Sequence, residues 1–233
     1  MPSTNQGSAS NILQKASLPG VVLALALVLL GWLLVPAVSL LSVGGVCLIL
    51  VVYTLAGHFG FPRLRSEVLR LAGVFGLLAG VVFAGEILLE YAILPKDNTS
   101  WGGFEFGCVF GIYFLSSVVV AYRLKSLRQG LLAAVVTAML SSVIWLIFVL
   151  LTFYIFRGTA RQAQVFMAEG NYADFAQSGM QNFNTFVMED FFGGGFYHLL
   201  LGPVVAAVLG TLGGLLGKGL ANIRLIRKSR IKR

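Results

Sequence analysis

The sequence predicts an all-α membrane protein: a bundle of six transmembrane helices with one amphipathic segment on its outer surface. Three observations carry that prediction. The 233 residues are 58% hydrophobic and 11% charged, against about 25% charged in a soluble domain. Apolar runs near the length of about 20 residues that crosses a bilayer core recur along the chain. The charges also divide cleanly between the two ends of those runs. A long apolar segment in lipid must satisfy its own backbone hydrogen bonds, which a helix does. A membrane β-barrel would alternate apolar and polar residues, and this chain does not.

The spans follow in order. Span 1 covers about Leu18–Val35 and span 2 about Ala37–Gly57, with Pro36 at the turn of a tight hairpin. Span 3 covers about Val68–Leu94 and stops at Pro95, span 4 about Phe104–Tyr122, and span 5 about Gly130–Phe156. Span 6 covers about Gly195–Leu216. The connection 157–194 is the one long segment between spans. In it Tyr172, Phe175, Phe183, Phe186, Val187 and Phe191 recur at spacings near three and four, which predicts an amphipathic interfacial helix. Gly193, Gly194 and Gly195 are expected to break that helix before span 6. The expected organisation is therefore an N-terminal segment 1–17, a membrane domain 18–217 and a basic tail 218–233.

Lys15, Arg63, Arg65, Arg70, Arg123, Lys125, Arg128 and Lys218 fall on one side, together with the tail residues Arg224, Arg227, Lys228, Arg230, Lys232 and Arg233. Glu67 is the single acid among them, and the other eight acids lie on the far side with Lys96, Arg157 and Arg161. The positive-inside rule then places both termini in the cytoplasm, with the bacterial inner (plasma) membrane as the expected location. The start of the chain is read as an uncleaved first helix rather than a signal peptide, because it carries one lysine and the apolar run continues into a second span.

Glu86 and Glu90 are four apart and share a face of span 3. Glu105 opens span 4, Glu189 and Asp190 precede span 6, and His198 lies in its first turns. Together these six form a candidate proton or cation site near the outer surface, since carboxyls near the membrane are costly and paired carboxyls favour a shared proton. The other expectation for the same residues is reach toward headgroups or bonding within the bundle.

Gly76 and Gly80, Gly107 and Gly111, Gly210 and Gly214, and Gly213 and Gly217 are pairs of small residues four apart, expected to let helices pack closely or to meet a second copy. Gly202-Pro203 is expected to kink span 6. The tail is expected to anchor topology and to contact anionic lipid headgroups through Arg224, Arg227, Lys228, Arg230, Lys232 and Arg233. Asn98-Thr-Ser100 matches a glycosylation sequon close to the membrane.

Gly213–Lys218 fails as a phosphate loop, because Leu212 stands where the first glycine should be and Gly219 where a Ser or Thr is needed. Cys47 and Cys108 read as small core side chains, and His58 as an interface residue. No spacing resembles a metal site, no nucleophile lies beside a base, and no nucleic-acid module accompanies the tail. No metal, no cofactor, no enzymatic activity and no nucleic-acid partner are therefore expected. The chain reads first as an accessory or scaffold membrane protein whose partners are the bilayer and a homo-oligomer or another membrane protein. The alternative is a small proton- or cation-linked transporter or channel using the acidic cluster. A lipid-interacting role of the interfacial segment and tail is the third reading.

Overall fold

The chain folds as helices, and among the described residues there is no strand. The structure is a computed structural model that describes residues 6–93 and 99–231, with side chains over 18–93 and 102–224. Its long helices are α1 (Gln6–Leu34), α2 (Leu40–Leu55), α3 (Ser66–Ile93), α4 (Thr99–Leu124), α5 (Leu127–Phe156) and α8 (Phe183–Ile231). Two short helices, α6 (Ala160–Ala168) and α7 (Asn171–Ser178), lie between α5 and α8. Among the described residues five stretches, Leu40–Arg63, Ser66–Ile93, Gly102–Leu124, Leu127–Phe156 and Phe183–Arg224, are long and apolar enough to cross a membrane. Expected span 1 coincides with the apolar stretch Leu18–Leu34 of α1, which at 17 residues is shorter than these five. The chain is thus a multi-pass membrane protein.

Local chemistry explains the boundaries. Pro36 lies in the turn between α1 and α2, closed by the Val38 amide donating to the Val35 carbonyl at 3.1 Å. Ser39 caps α2, its Oγ accepting from the Ser42 amide at 3.2 Å. The end of α2 loosens into a π-helical turn at Ala56–Gly60 and then tightens into a 3₁₀ turn at Phe61–Arg63. Ser126 caps α5 through the Gln129 amide.

α5 is the axis of the bundle. Its Leu146, Leu150 and Phe153 are buried with residues of α1, α2 and α8, and its Ala134 and Ala138 with residues of α3, α4 and α8. Buried hydroxyls tie the helices together. Tyr113 and Ser141 share a hydrogen bond of 2.7 Å, Ser117 donates to the Gly210 carbonyl, and Ser142 donates to the His198 carbonyl at 2.9 Å. Such bonds contribute roughly 0.6 kcal/mol each in a membrane.

The segment 157–194 departs from the single amphipathic helix expected of it. It contains α6, α7 and the first turns of α8, with Gly170 (φ 81°) and Gly179 (φ 72°) at the breaks. Those left-handed angles suit glycine, which has no Cβ to clash. Gly193, Gly194 and Gly195 do not break the helix: α8 runs through them, and through Gly202 and Pro203, without interruption. At Gly195 the glycine serves close approach, whereas a Cβ on Gly193 would meet nothing within 4 Å among the described residues. A Cβ on Gly195 would come within 2.9 Å of Leu146, and one on Gly194 within 3.4 Å of Trp145. The aromatic periodicity is nevertheless used, because Tyr172 of α7 stacks on Phe183 of α8 at 4.4 Å between ring centres and Phe175 meets the same ring edge-on at 5.4 Å.

Candidate proton site at the acidic end of the bundle

The end of the bundle that gathers the C-termini of α1, α3 and α5 also gathers the N-termini of α2, α4 and α8. α6 and α7 cover it. Arg161 of α6 holds the cover to the core by donating from Nε to the Tyr91 carbonyl in the last turn of α3, the usual use of a cation at a helix C-terminus. Gln162 folds back, accepting from the Gly158 amide at 2.9 Å and donating to the Phe153 carbonyl at 3.2 Å. The junction of α6 and α7 is thereby set over the end of α3.

Several acidic side chains gather at this end of the bundle. Glu86 and Glu90 are half-buried on one face of α3. Glu105 of α4 is 6% exposed, and its carboxyl is hydrogen-bonded to that of Glu86. Among the described residues its Oε1 has no partner. Glu90, one turn further along, is hydrogen-bonded to Glu169, which also accepts from Asn171 Nδ2 at 2.8 Å.

Glu169 as a whole residue is exposed, yet its carboxyl end is crowded by the helix ends around it. That desolvation, reinforced by the charges of Glu86 and Asp190, lifts its pKa above the usual 4.5 despite the hydrogen bonds from Glu90 and Asn171. Asp190 sits exposed on α8 and acts on Glu169 by charge.

Two of the six residues singled out in the sequence stand elsewhere. Glu189, adjacent to Asp190 but about 100° around the helix, turns to the N-terminus of α2. Its carboxylate accepts from the Ser39 amide and from the hydroxyls of Ser39 and Ser42. There it answers unpaired N–H groups and the positive end of the helix dipole. His198 lies in an aromatic box, stacked on Trp145 at 4.0 Å, with Phe83 edge-on at 5.3 Å and Phe106 at 5.9 Å.

Glu169 is the member that sequence reasoning missed. Its signal was there: an acid just before Gly170, on the acid-rich side, at a place where the chain had to turn. Among the described residues no three His, Cys, Asp or Glu side chains are arranged to hold a metal ion.

The glycine pairs also separate. A Cβ on Gly76 would meet Leu140 of α5 at 2.9 Å, and one on Gly80 would meet Ile144 at 2.5 Å. Gly210 faces Ala134 at 2.8 Å, Gly213 the Phe114 carbonyl at 2.6 Å and Gly214 Leu127 at 2.6 Å, while Gly217 lies against the Val118 carbonyl. Gly107 and Gly111 meet nothing within 4 Å among the described residues.

At the basic end Arg224 donates to the Tyr122 hydroxyl at 2.7 Å and lies over its ring. The side chains of Arg227, Lys228 and Arg230, and the whole of Lys232 and Arg233, lie outside the described residues, as does the sequon at Asn98. Comparison with protein-family models, with curated proteins and with solved structures gives no match to this chain.

Proposed function

We propose that this multi-pass membrane protein binds a proton at the acidic end of its bundle and works as a small proton-linked transporter or channel. One observation carries the reading: Glu105 is buried against Glu86, with its Oε1 lacking a partner among the described residues. A buried polar atom without a partner costs about 1–3 kcal/mol, and ionisable groups inside membrane bundles mark ion and proton routes. Glu90 acts on the pair and is itself hydrogen-bonded to Glu169, which Asp190 reaches by charge, and Arg161, given to the Tyr91 carbonyl, is the cation in the cover. Glu86 meets Glu105 and Glu90 meets Glu169 side chain to side chain, which favours a protonatable site over simple reach to headgroups. With the basic end taken as cytoplasmic by the positive-inside rule, the site opens toward the opposite side of the membrane.

The test uses protein reconstituted in vesicles with a pH-sensitive dye inside. Wild type is expected to carry proton flux, and Glu105→Gln and Glu86→Gln are expected to lose it. Infrared spectra of the same samples should show a carboxylic-acid carbonyl band at neutral pH that Glu105→Gln removes. Full flux in a Glu86→Gln/Glu90→Gln double variant would sink the reading.

A second reading, an accessory or scaffold protein, is supported by the close packing of α4, α5 and α8 between the acid pair and the basic end. There Ser117 and Ser142 spend their hydroxyls on backbone carbonyls, and glycine contacts close the helix interfaces. A carboxylic-acid band without flux would favour it.

A further inference from the structure

At the opposite end of the molecule α1, α2, α3 and α5 leave a cavity of about 440 Å³ between them, within the range of about 300–1,000 Å³ typical of small-molecule sites. It runs from His58, Phe59 and Phe61 past Gly20 and Leu77 to Val143. Val143 is sixteen residues into α5, about 24 Å along its axis, so the cavity reaches from the basic membrane boundary to the middle of the bilayer. Its walls are apolar, and the two lining hydroxyls are already engaged. Tyr53 donates to the Leu199 carbonyl and Thr54 to the Leu50 carbonyl. The cavity therefore presents hydrocarbon to its occupant.

Its mouth is different. The backbone there leaves the α-helix for the π turn and the 3₁₀ turn, irregular geometry that recurs at functional sites. Arg63 stands exposed on this segment with one guanidinium nitrogen 2.6 Å from the Phe59 carbonyl. Arg65 beside it is also exposed. The nearby acid Glu67 is paired with Arg123 at 3.7 Å, so the rim is left positive. A guanidinium with free N–H groups suits a phosphate.

We infer that this cavity is a binding site for an anionic phospholipid, one acyl chain lying among Gly20, Leu77 and Val143 and the phosphate resting on Arg63. The two halves of the site match the two halves of such a lipid. An apolar cavity opening within a bilayer stays dry, and a lipid tail is the hydrocarbon at hand. The cation at the rim is at the depth of the headgroups. The site is separate from the acidic end and does not rest on the proton-linked reading.

Native mass spectrometry of the full chain tests it, with protein released from vesicles of equal phosphatidylglycerol and phosphatidylcholine. Wild type is expected to retain one lipid with phosphatidylglycerol favoured about fivefold, the preference one basic residue near the surface supplies. Gly20→Leu is the blocking variant, since a Cβ there meets only Val143 at 3.9 Å and a longer side chain has room to enter the cavity. It should cut lipid retention at least fivefold. Gly44→Leu is the control: the same change at an exposed glycine with nothing within 4 Å, expected to retain lipid like wild type. Arg63→Ala should keep the bound lipid and lose the preference for phosphatidylglycerol. Wild type that retains no lipid, Gly20→Leu that retains as much as Gly44→Leu, or a headgroup preference unchanged in Arg63→Ala would each overturn the inference.

Discussion

Replacing Gly213 by alanine tests whether α4 and α8 are held at glycine distance. The added Cβ would stand 2.6 Å from the Phe114 carbonyl oxygen and 3.2 Å from Ser117 Cβ. Ordinary contact begins at 3.4 Å, so the two backbones would have to part by roughly 0.8 Å at that point. The obstacle is a backbone carbonyl, which has no rotamer to move into. Overpacking of this kind costs about 1–3 kcal/mol. Opposing it, alanine is a better helix former than glycine by about 1 kcal/mol.

Gly111→Ala supplies the same propensity gain on α4 where a Cβ meets nothing within 4 Å among the described residues. The difference between the two variants therefore isolates the close approach. Equilibrium unfolding in mixed micelles, followed by circular dichroism, should place Gly213→Ala about 1–3 kcal/mol below Gly111→Ala, with Gly111→Ala at or above wild type. Equal stability of the two would refute the argument, because it would mean that α8 does not press on the α4 backbone at Gly213.

Glu189→Ala should destabilise the protein by about 1.5–3 kcal/mol, the range for a hydrogen-bonded charged group, with hydrogen exchange accelerating first at the amides of residues 39–43. Unchanged exchange there would show that Glu189 does not hold the start of α2. The lifted pKa of Glu169 means that the folded state binds its proton more tightly than the unfolded chain does. Its contribution is present in full below the ordinary value of 4.5 and is lost as pH rises through the lifted one. Amide exchange in α6 and α7 should therefore quicken as pH rises above 4.5, after correction for intrinsic rates, and Glu169→Gln should flatten that dependence. His198→Phe should keep stability within about 1.5 kcal/mol, as expected of a volume-conserving exchange in an aromatic box, and should leave proton flux intact where Glu105→Gln abolishes it. Loss of flux in His198→Phe at full stability would make the imidazole part of the site.

The helical membrane class was legible because it rests on quantities summed over long windows. Apolar runs such as 127–156 exclude water whatever their neighbours are, and a helix is how such a run satisfies its backbone. The turn at Pro36 was legible for a local reason, since proline carries no amide to continue the ladder. The glycine run at residues 193–195 was misleading because propensity is weak against packing. Three glycines are unfavourable in an isolated helix by about 1 kcal/mol each, and close contact of α8 with Trp145 and Leu146 outweighs that. The true breaks, at Gly170 and Gly179, fall where no such contact compensates and the backbone turns left-handed.

The acids divide in the same way. That Glu86 and Glu90 share a face follows from a repeat of 3.6 residues, which the chain carries in itself. That Glu105 rather than Glu189 meets Glu86 does not follow, because it depends on how α4 and α8 are rotated against α3. Those rotations are decided by many small packing contacts distributed over the whole bundle, glycine against carbonyl and hydroxyl against carbonyl. Composition and periodicity thus determine that this chain crosses the membrane and which end is acidic. Only tertiary packing decides which carboxyls meet and where a cavity is left, since those depend on distances between residues far apart in the chain.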